Sequence, residues 1–274
     1  MPNYYAHLEF GRRVLDTLPL PLRKSVEAEK DAFFIGLYGP DPLFFSPRRR
    51  VRQQGLDLHR QAVRPVAARL RQAMEEHLPM AHGYAAGFLC HFALDSACHP
   101  YVDAMVGRGE ATHGQIEAEL DRLLMLRVGL DPMEDTPMPP IAVTPELEPI
   151  LRAAYPGLSP RQFQQGYDLF GRISRLLTVA SGAGLRGLVD RLAQRHAICA
   201  PLHGIVLTRE PDPVCEQSSA DLYALLTDTV SPTVETLSAY FAGAELDEWY
   251  CRDFHATPVG EEAASMVPAP APSV

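Results

Sequence analysis

The sequence lacks the motifs that mark several large enzyme classes. There is no GxSxG elbow, no HExxH pair and no phosphate-binding P-loop. Common serine hydrolases, HExxH metalloproteases and P-loop nucleotide hydrolases are therefore not indicated. No histidine is directly followed by aspartate, which excludes the adjacent His-Asp dyad of the helical metal phosphohydrolases. The function has to be sought in residues that are distributed along the chain.

Basic residues are also scarce. The chain has 25 Lys and Arg against 34 Asp and Glu, a formal net charge of −9. Nucleic-acid binding requires a basic face, so we expect no nucleic acid as the main partner. The basic cluster at residues 48–52 is short and is predicted to lie in a solvated loop. Bound metal cations would neutralise part of the acidic excess.

Long hydrophobic runs and paired cysteines are missing as well. The apolar stretch 88–98 is interrupted by His91 and Asp95 and is too short to span a bilayer, so no transmembrane segment is expected. The first ten residues do not have the pattern of a signal peptide. The five cysteines form no CxxC pair, and we predict buried free thiols in a reducing cytoplasm. They are Cys90, Cys98, Cys199, Cys215 and Cys251.

The alternation of apolar and polar residues that is typical of strands is almost absent, and helical spacing prevails. The fold class is therefore predicted to be all-α, a multi-helical bundle with additional C-terminal helices. A metal-binding helical domain is predicted for residues 1–130, followed by a proline-rich acidic linker. A C-terminal helical region, residues 141–255, is expected to pack on it, and residues 256–274 are expected to form a disordered tail.

Within the first half, single elements follow from breakers and spacing. We predict a helix over residues 22–36, an exposed connection over 48–54 and a helix over 57–77. A long buried helix is predicted over residues 81–99. Pro100 is expected to end it, because a proline disfavours the helical conformation of the preceding residue.

Three ionisable residues on this long helix point to metal binding. His91, Asp95 and His99 follow one another at intervals of four, so their side chains line one face of an otherwise apolar helix. Any one of them alone is more simply explained as a hydrogen-bonded core residue. All three buried together favour a metal site, because unpaired buried polar groups are costly.

A second pair has the same spacing. Thr112 and Gln115 form a capping box, which predicts that a helix begins at His113 and places Glu117 one turn later. Further candidate ligands lie upstream at His7, Asp41 and His59. Zinc takes nitrogen and oxygen donors in groups of three or four, and these residues suffice for more than one ion.

The order of these pieces resembles the zinc-dependent phospholipase C family. The pieces are the segments around His7 and Asp41, then His59, the row from His91 to His99, and the pair His113 and Glu117. The same pattern is similar to the N-terminal domain of glycosylphosphatidylinositol-specific phospholipase D and, more distantly, to the S1/P1 nucleases. The resemblance covers roughly residues 1–125.

The resemblance implies an all-helical domain that binds zinc, with two or three ions, and hydrolyses phosphodiesters. It implies one zinc held by Asp41, His59, His91 and Asp95. It implies a second zinc held by His99, His113 and Glu117.

A third zinc is implied between His7 and a bridging Asp95. In secreted bacterial relatives the terminal amine of a processed tryptophan completes that position. This chain has no tryptophan there, and six residues precede His7. The first two positions are therefore predicted to bind zinc more firmly.

These residues predict a zinc-dependent phosphodiesterase of the phospholipase C/D type, with Asp41 as its catalytic carboxylate and a phospholipid as the leading substrate. One alternative is a phosphodiesterase that acts on a nucleotide or another non-lipid substrate. The other is a non-catalytic helical protein with structural zinc and a partner-binding C-terminal half. The oligomeric state is left open by the sequence.

Overall fold

The computed structural model describes residues 5–136, 138, 142–196 and 203–259. In these residues eleven α-helices and several short 3-10 helices form the fold, with one isolated β-bridge and no strand. The prediction of an all-α fold is confirmed. The helices are α1 (Ala6–Thr17), α2 (Leu20–Ala28), α3 (Lys30–Gly36), α4 (Arg49–His59), α5 (Arg64–Glu75), α6 (Ala81–Gly107), α7 (His113–Arg127), α8 (Glu148–Ala154), α9 (Pro160–Gly182), α10 (Arg186–Arg195) and α11 (Glu216–Phe241).

Helix α6 is the central element of the bundle. It is 27 residues long, is buried along most of its length, and packs against α1, α2, α3, α5, α7 and α11. Its closest neighbour is α3, because a side chain at Gly87 would collide with the Phe33 carbonyl and one at Gly36 would collide with Tyr84. These glycines bring the two backbones into direct contact and fix the position of α6.

The prediction that Pro100 ends the central helix is wrong. Helix α6 continues through Pro100 to Gly107. The proline is exposed, while Val102 and Met105 beyond it are buried in the core. Burial of the last turns compensates for the backbone hydrogen bond that proline cannot make.

Two predictions about the region before α6 are also wrong. Residues 48–54 are not an exposed connection, because α4 begins at Arg49 and buries Val51. The helix predicted over residues 57–77 is two helices, since α4 ends at His59 and α5 starts at Arg64. The helix predicted over residues 22–36 is likewise split into α2 and α3 at Glu29.

The second half of the chain packs directly on the first. Helix α9 lies against the 3-10 helix Asp41–Phe45, α8 against α5, and α11 against α1, α6 and α7. The turn between α9 and α10 contains a GxGxxG sequence, residues 182–187. It connects two helices and follows no strand, so it lacks the context of a dinucleotide-binding loop.

The structure describes only the first four residues of the tail predicted over residues 256–274. Residues 256–259 belong to a turn closed by the bridge between Arg252 and Pro258, and residues 260–274 lie outside the described residues. Cys90, Cys98 and Cys215 are buried free thiols, Cys251 is buried as well, and Cys199 lies outside the described residues. No helix in the described part of the chain combines the length and apolarity that a membrane span needs.

Candidate metal centre

The structure brings all eight candidate ligands together in three adjoining groups. In each group the possible ligand atoms lie within 4.8 Å of one another. The groups are Asp41, His59 and His91; His7, His91 and Asp95; and His99, His113 and Glu117. Because His91 occurs in two groups and Asp95 lies beside the third, the eight residues form one continuous polar interior.

Five elements supply these side chains. Helix α6 carries His91, Asp95 and His99 on one face, as the spacing of four predicts. His7 comes from the first turn of α1, His59 from the last residue of α4, and Asp41 from the start of a 3-10 helix.

The start of α7 supplies the remaining pair. The Thr112 hydroxyl accepts a hydrogen bond from Gln115 N at 3.2 Å, and Thr112 N donates to Gln115 Oε1 at 3.4 Å. This capping box fixes where the helix begins. It thereby places His113 and Glu117 side by side, with His113 Nε2 3.0 Å from Glu117 Oε1.

The first group is built around one oxygen of Asp41. Asp41 Oδ1 lies 2.9 Å from His59 Nε2 and 3.8 Å from His91 Nε2. All three side chains are buried. The donors of a tetrahedral zinc site lie roughly 3.3 Å apart, so this spacing suits a single ion between them.

Asp95 joins the other two groups. Its Oδ1 lies 3.1 Å from His7 Nε2 and 3.8 Å from His99 Nε2, while its Oδ2 lies 3.4 Å from His91 Nε2. On the far side, His99 Nε2 is 3.7 Å from Glu117 Oε1. One carboxylate therefore lies within 3.8 Å of His7 and His91 of its own group and of His99 of the third group, which is the position of a bridging ligand.

Two of the possible ligand atoms make no hydrogen bond within the described chain. In the described residues His91 Nε2 and Glu117 Oε2 are buried without a hydrogen bond. A buried polar atom without a partner costs about 1–3 kcal/mol. Both atoms belong to residues of the groups described above, and a bound cation would satisfy such atoms. The donor set of imidazoles and carboxylates fits zinc.

Backbone carbonyls orient three of the imidazoles. His59 Nδ1 contacts the Gly55 carbonyl at 2.9 Å, and His91 Nδ1 contacts the Leu37 carbonyl at 3.1 Å. His99 Nδ1 contacts a carbonyl at the other end of the chain at 2.9 Å. A carbonyl can only accept, so each Nδ1 carries the proton. In each ring Nε2 is therefore the nitrogen left to bind a metal.

The electrostatics of the histidines differ across the centre. Burial lowers the pKa of His91 to about 4, which keeps its ring neutral at pH 7. His99 behaves in the opposite way. Burial opposes its charged form, but the Asp95 and Glu117 carboxylates raise the pKa of His99 to about 9. Zinc would displace that proton, since a metal-bound imidazole is neutral.

The carboxylates stay ionised despite their burial. Burial favours their neutral form, but His99 and His91 hold the pKa of Asp95 well below its usual range. His91 and His59 likewise lower the pKa of Asp41, and His113 lowers that of Glu117. Three buried negative charges in one interior call for cations, and divalent metal ions supply them.

Two contributors were missed at the level of the sequence. The His255 ring stacks on the His99 ring with a centroid distance of 4.5 Å. The carbonyl that accepts the hydrogen bond from His99 Nδ1 belongs to Phe254. No local spacing links these residues to α6, because 155 positions separate His99 from Phe254. No sequence signal could have identified them.

The aromatic residues around Asp41 divide between core and site. Phe33 and Tyr38 are fully buried in the core. Phe44 is partly exposed and stacks on His59 with a centroid distance of 4.6 Å. Phe45 packs on Phe170 of α9 at 5.0 Å. Among these, Phe44 is the side chain that contacts a candidate ligand.

Comparison with known proteins agrees with the geometry. A family model described as zinc dependent phospholipase C matches residues 6–149, which is more than half of the 274 residues. The matched span contains all eight residues of the three groups. No curated protein and no solved structure was found to match the chain.

Proposed function

Because the chain belongs to the zinc-dependent phospholipase C family, we propose that it is a zinc-dependent phosphodiesterase whose substrate is a phospholipid. The observation that carries the proposal is the continuous interior of three ligand groups. Two of the groups share His91, and the third adjoins them at Asp95. A structural zinc site needs one closed set of four ligands. Adjoining groups are instead typical of centres in which several ions act on one phosphate.

Each group of candidate ligands would hold one zinc ion. Asp41, His59 and His91 would hold one zinc with Asp95 alongside, and His99, His113 and Glu117 would hold a second. His7 and Asp95 would contribute to a third. Bound zinc supplies Lewis acidity, which polarises a phosphoryl oxygen and acidifies water.

Asp41 is proposed as the catalytic carboxylate. It is buried, and its neighbours His91 and His59 keep its pKa below the usual range against the effect of burial, so it is ionised at neutral pH. It also stands at the start of a short 3-10 helix, a rigid position beside two imidazoles. From there its carboxylate would orient the attacking water or accept a proton from it.

A phospholipid is favoured over a nucleotide by the surroundings of the centre. Phe44 is partly exposed and lies against His59, and Phe45 lies next to it. These rings offer an apolar wall on the Asp41 side. The net charge of −9 does not support a polyanionic nucleic acid as substrate.

The test combines metal analysis with a panel of phosphodiesters. Protein purified without chelator is expected to contain at least about two zinc ions per chain. It is expected to hydrolyse a phospholipid at the phosphodiester and to lose the activity when dialysed against chelator. Zinc without turnover on any phosphodiester would favour the non-catalytic alternative. Turnover confined to nucleotides would favour the alternative of a phosphodiesterase with a non-lipid substrate.

The cysteines support a reducing compartment, and we propose a cytoplasmic location on this ground. Burial raises the pKa of Cys90 and Cys98 and raises that of Cys215 to about 11. These thiols stay protonated and unreactive at neutral pH. Fractionation of cells that express the full-length protein would test the location.

A further inference from the structure

The end of the described chain folds over the metal centre, although it lies far beyond residue 149, where the family match ends. The Phe254 carbonyl accepts a hydrogen bond from His99 Nδ1 at 2.9 Å, and the Phe254 N–H donates to the His59 carbonyl at 3.3 Å. The Phe254 ring lies 4.7 Å from the His59 ring and 5.5 Å from the His91 ring. One residue thus contacts three candidate ligands.

The next residue contacts the opposite side of the same centre. The His255 ring stacks on His99 at an angle of 24°. His255 Nδ1 lies 2.6 Å from Asp103 Oδ2, one turn beyond His99 on α6. Phe254 therefore contacts the edge of the His99 ring through its carbonyl, and His255 contacts the face of the same ring.

A buried aspartate gives this segment its shape. Asp253 Oδ1 accepts hydrogen bonds from His255 N at 2.9 Å and from Thr257 N at 2.8 Å, and Asp253 N donates to the Thr257 carbonyl. The turn also requires Ala256 to adopt a left-handed conformation, with φ of 59°. That conformation is unfavourable for alanine. The two bonds to Asp253 Oδ1 stabilise it, together with the bond from Ala256 N to the Asp253 carbonyl at 3.1 Å.

The turn is tied to the rest of the fold at Val63 and closed on itself by its own ends. Val63 N donates to the Arg252 carbonyl and Val259 N to the Cys251 carbonyl, both at 3.0 Å. The Phe254 carbonyl is consequently presented to His99 from a fixed frame. A backbone carbonyl cannot change its rotamer, so its direction depends on the shape of the turn alone.

We propose that residues 251–259 are a positioning element of the metal centre, and that Asp253 tunes zinc affinity by holding the turn that orients His99. Asp253 itself touches no candidate ligand side chain; it acts through the Phe254 carbonyl and the His255 ring. Partners that orient a ligating histidine contribute substantially to metal affinity. The proposal rests on the zinc centre of the proposed function but not on catalysis.

The test measures zinc affinity of the full-length protein by competition with a chromophoric chelator. Asp253→Ala removes both hydrogen bonds and is expected to weaken zinc binding by ~10- to 100-fold, first at the ion held by His99, His113 and Glu117. Asp253→Asn retains an oxygen acceptor at the same place and is expected to restore most of the affinity.

The matched control is Asp247→Ala. Asp247 caps the 3-10 helix Glu248–Cys251 by accepting from Trp249 N at 3.0 Å, so it makes the same kind of bond in the same region. It contacts no part of the centre, and its replacement is expected to leave zinc affinity within about twofold of the wild type. Thermal unfolding of the zinc-free proteins reports the purely structural cost of each variant.

Each outcome has a definite meaning. Unchanged zinc affinity in Asp253→Ala, or an equal loss in Asp247→Ala, would overturn the positioning role. If the metal-free Asp253→Ala protein does not fold, His255→Ala replaces it. That variant keeps the turn and is expected to lower affinity by up to ~10-fold at the same ion. No loss there would also overturn the proposal. Wild-type protein that binds zinc without turnover would defeat the proposed function and leave this inference standing.

Discussion

Helices α6 and α11 are built alike but serve different ends. They have 27 and 26 residues, each contains an internal proline, and each lies against several other helices. In α11 the buried polar side chains carry hydroxyl groups. Those of Thr233 and Ser218 donate hydrogen bonds to backbone carbonyls three or four residues earlier in the chain. In α6 the buried polar residues are ionisable, and His91, Asp95 and His99 contact side chains from three other elements.

The difference shows how to separate structural from functional polar groups inside a helical bundle. A hydroxyl that donates a hydrogen bond to a carbonyl of the preceding turn needs no partner from another helix. A buried imidazole or carboxylate has a second polar atom that its own helix leaves without a partner, so other elements have to supply one. We infer that α6 organises chemistry and α11 organises packing. The following experiments test that contrast, ordered by the size of the expected effect.

The largest effect is expected for His91→Ala. His91 belongs to two of the three ligand groups, so its loss should remove about one zinc ion per chain and with it the activity, since zinc needs about three protein donors. The melting temperature of the zinc-loaded protein should fall as well. Thr233→Ala on α11 is the control and should leave zinc content unchanged. Equal zinc content in both variants, by plasma emission spectrometry, would make the row on α6 structural.

Asp41→Asn is expected to reduce the rate of phosphodiester hydrolysis by ~100- to 10,000-fold with the fold intact, because the base or orienting group is lost. Circular dichroism and zinc content distinguish loss of chemistry from loss of structure. A useful comparison is Asp57→Asn, an exposed carboxylate on α4 that should retain wild-type turnover. Wild-type turnover in Asp41→Asn would remove Asp41 from the mechanism.

The packing of α6 is tested by two glycines on the same helix. Gly87→Ala should destabilise the protein by ~1–3 kcal/mol, because the added methyl group meets the Phe33 carbonyl on α3. Gly107→Ala meets nothing within 4 Å, and it should stabilise the helix by ~0.5–1 kcal/mol. Denaturant unfolding measures both. Similar stabilities for the two variants would show that the close approach of α3 and α6 is not required.

The smallest effect is expected for His7→Ala. A single Nε2 of His91 binds one ion, so when the first position uses it, His7 and Asp95 are the two remaining donors of the third. We expect this position to lose its metal first in a chelator titration, and His7→Ala to lower total zinc by less than His91→Ala does. Anomalous diffraction that shows three ions at equal and full occupancy without added zinc would contradict this.

Much of the centre was accessible from the sequence because its key spacings are local. The interval of four between His91, Asp95 and His99 translates directly into one face of a helix. The capping box at Thr112 likewise fixed the start of α7 and the pairing of His113 with Glu117. The order of these pieces along the chain sufficed to identify the family.

Other features depended on contacts between distant parts of the chain. The passage of α6 through Pro100, and the helix at residues 49–59 in place of a loop, are decided by burial against neighbours that the local pattern does not reveal. The same is true of His91, whose membership in two groups depends on how α1 and the 3-10 helix Asp41–Phe45 meet α6.

By itself, then, the sequence determined the helical class, the family and the residues able to bind metal, because helical periodicity and ligand type can both be recognised within short segments of the chain. Only the tertiary structure decided which of these residues lie close enough together to form one ligand group, that Asp95 stands between three imidazoles, and that the turn at Asp253 comes back to His99. Those arrangements arise from the packing of helices far apart in the chain, where the cost of buried unpaired charge selects one geometry among many.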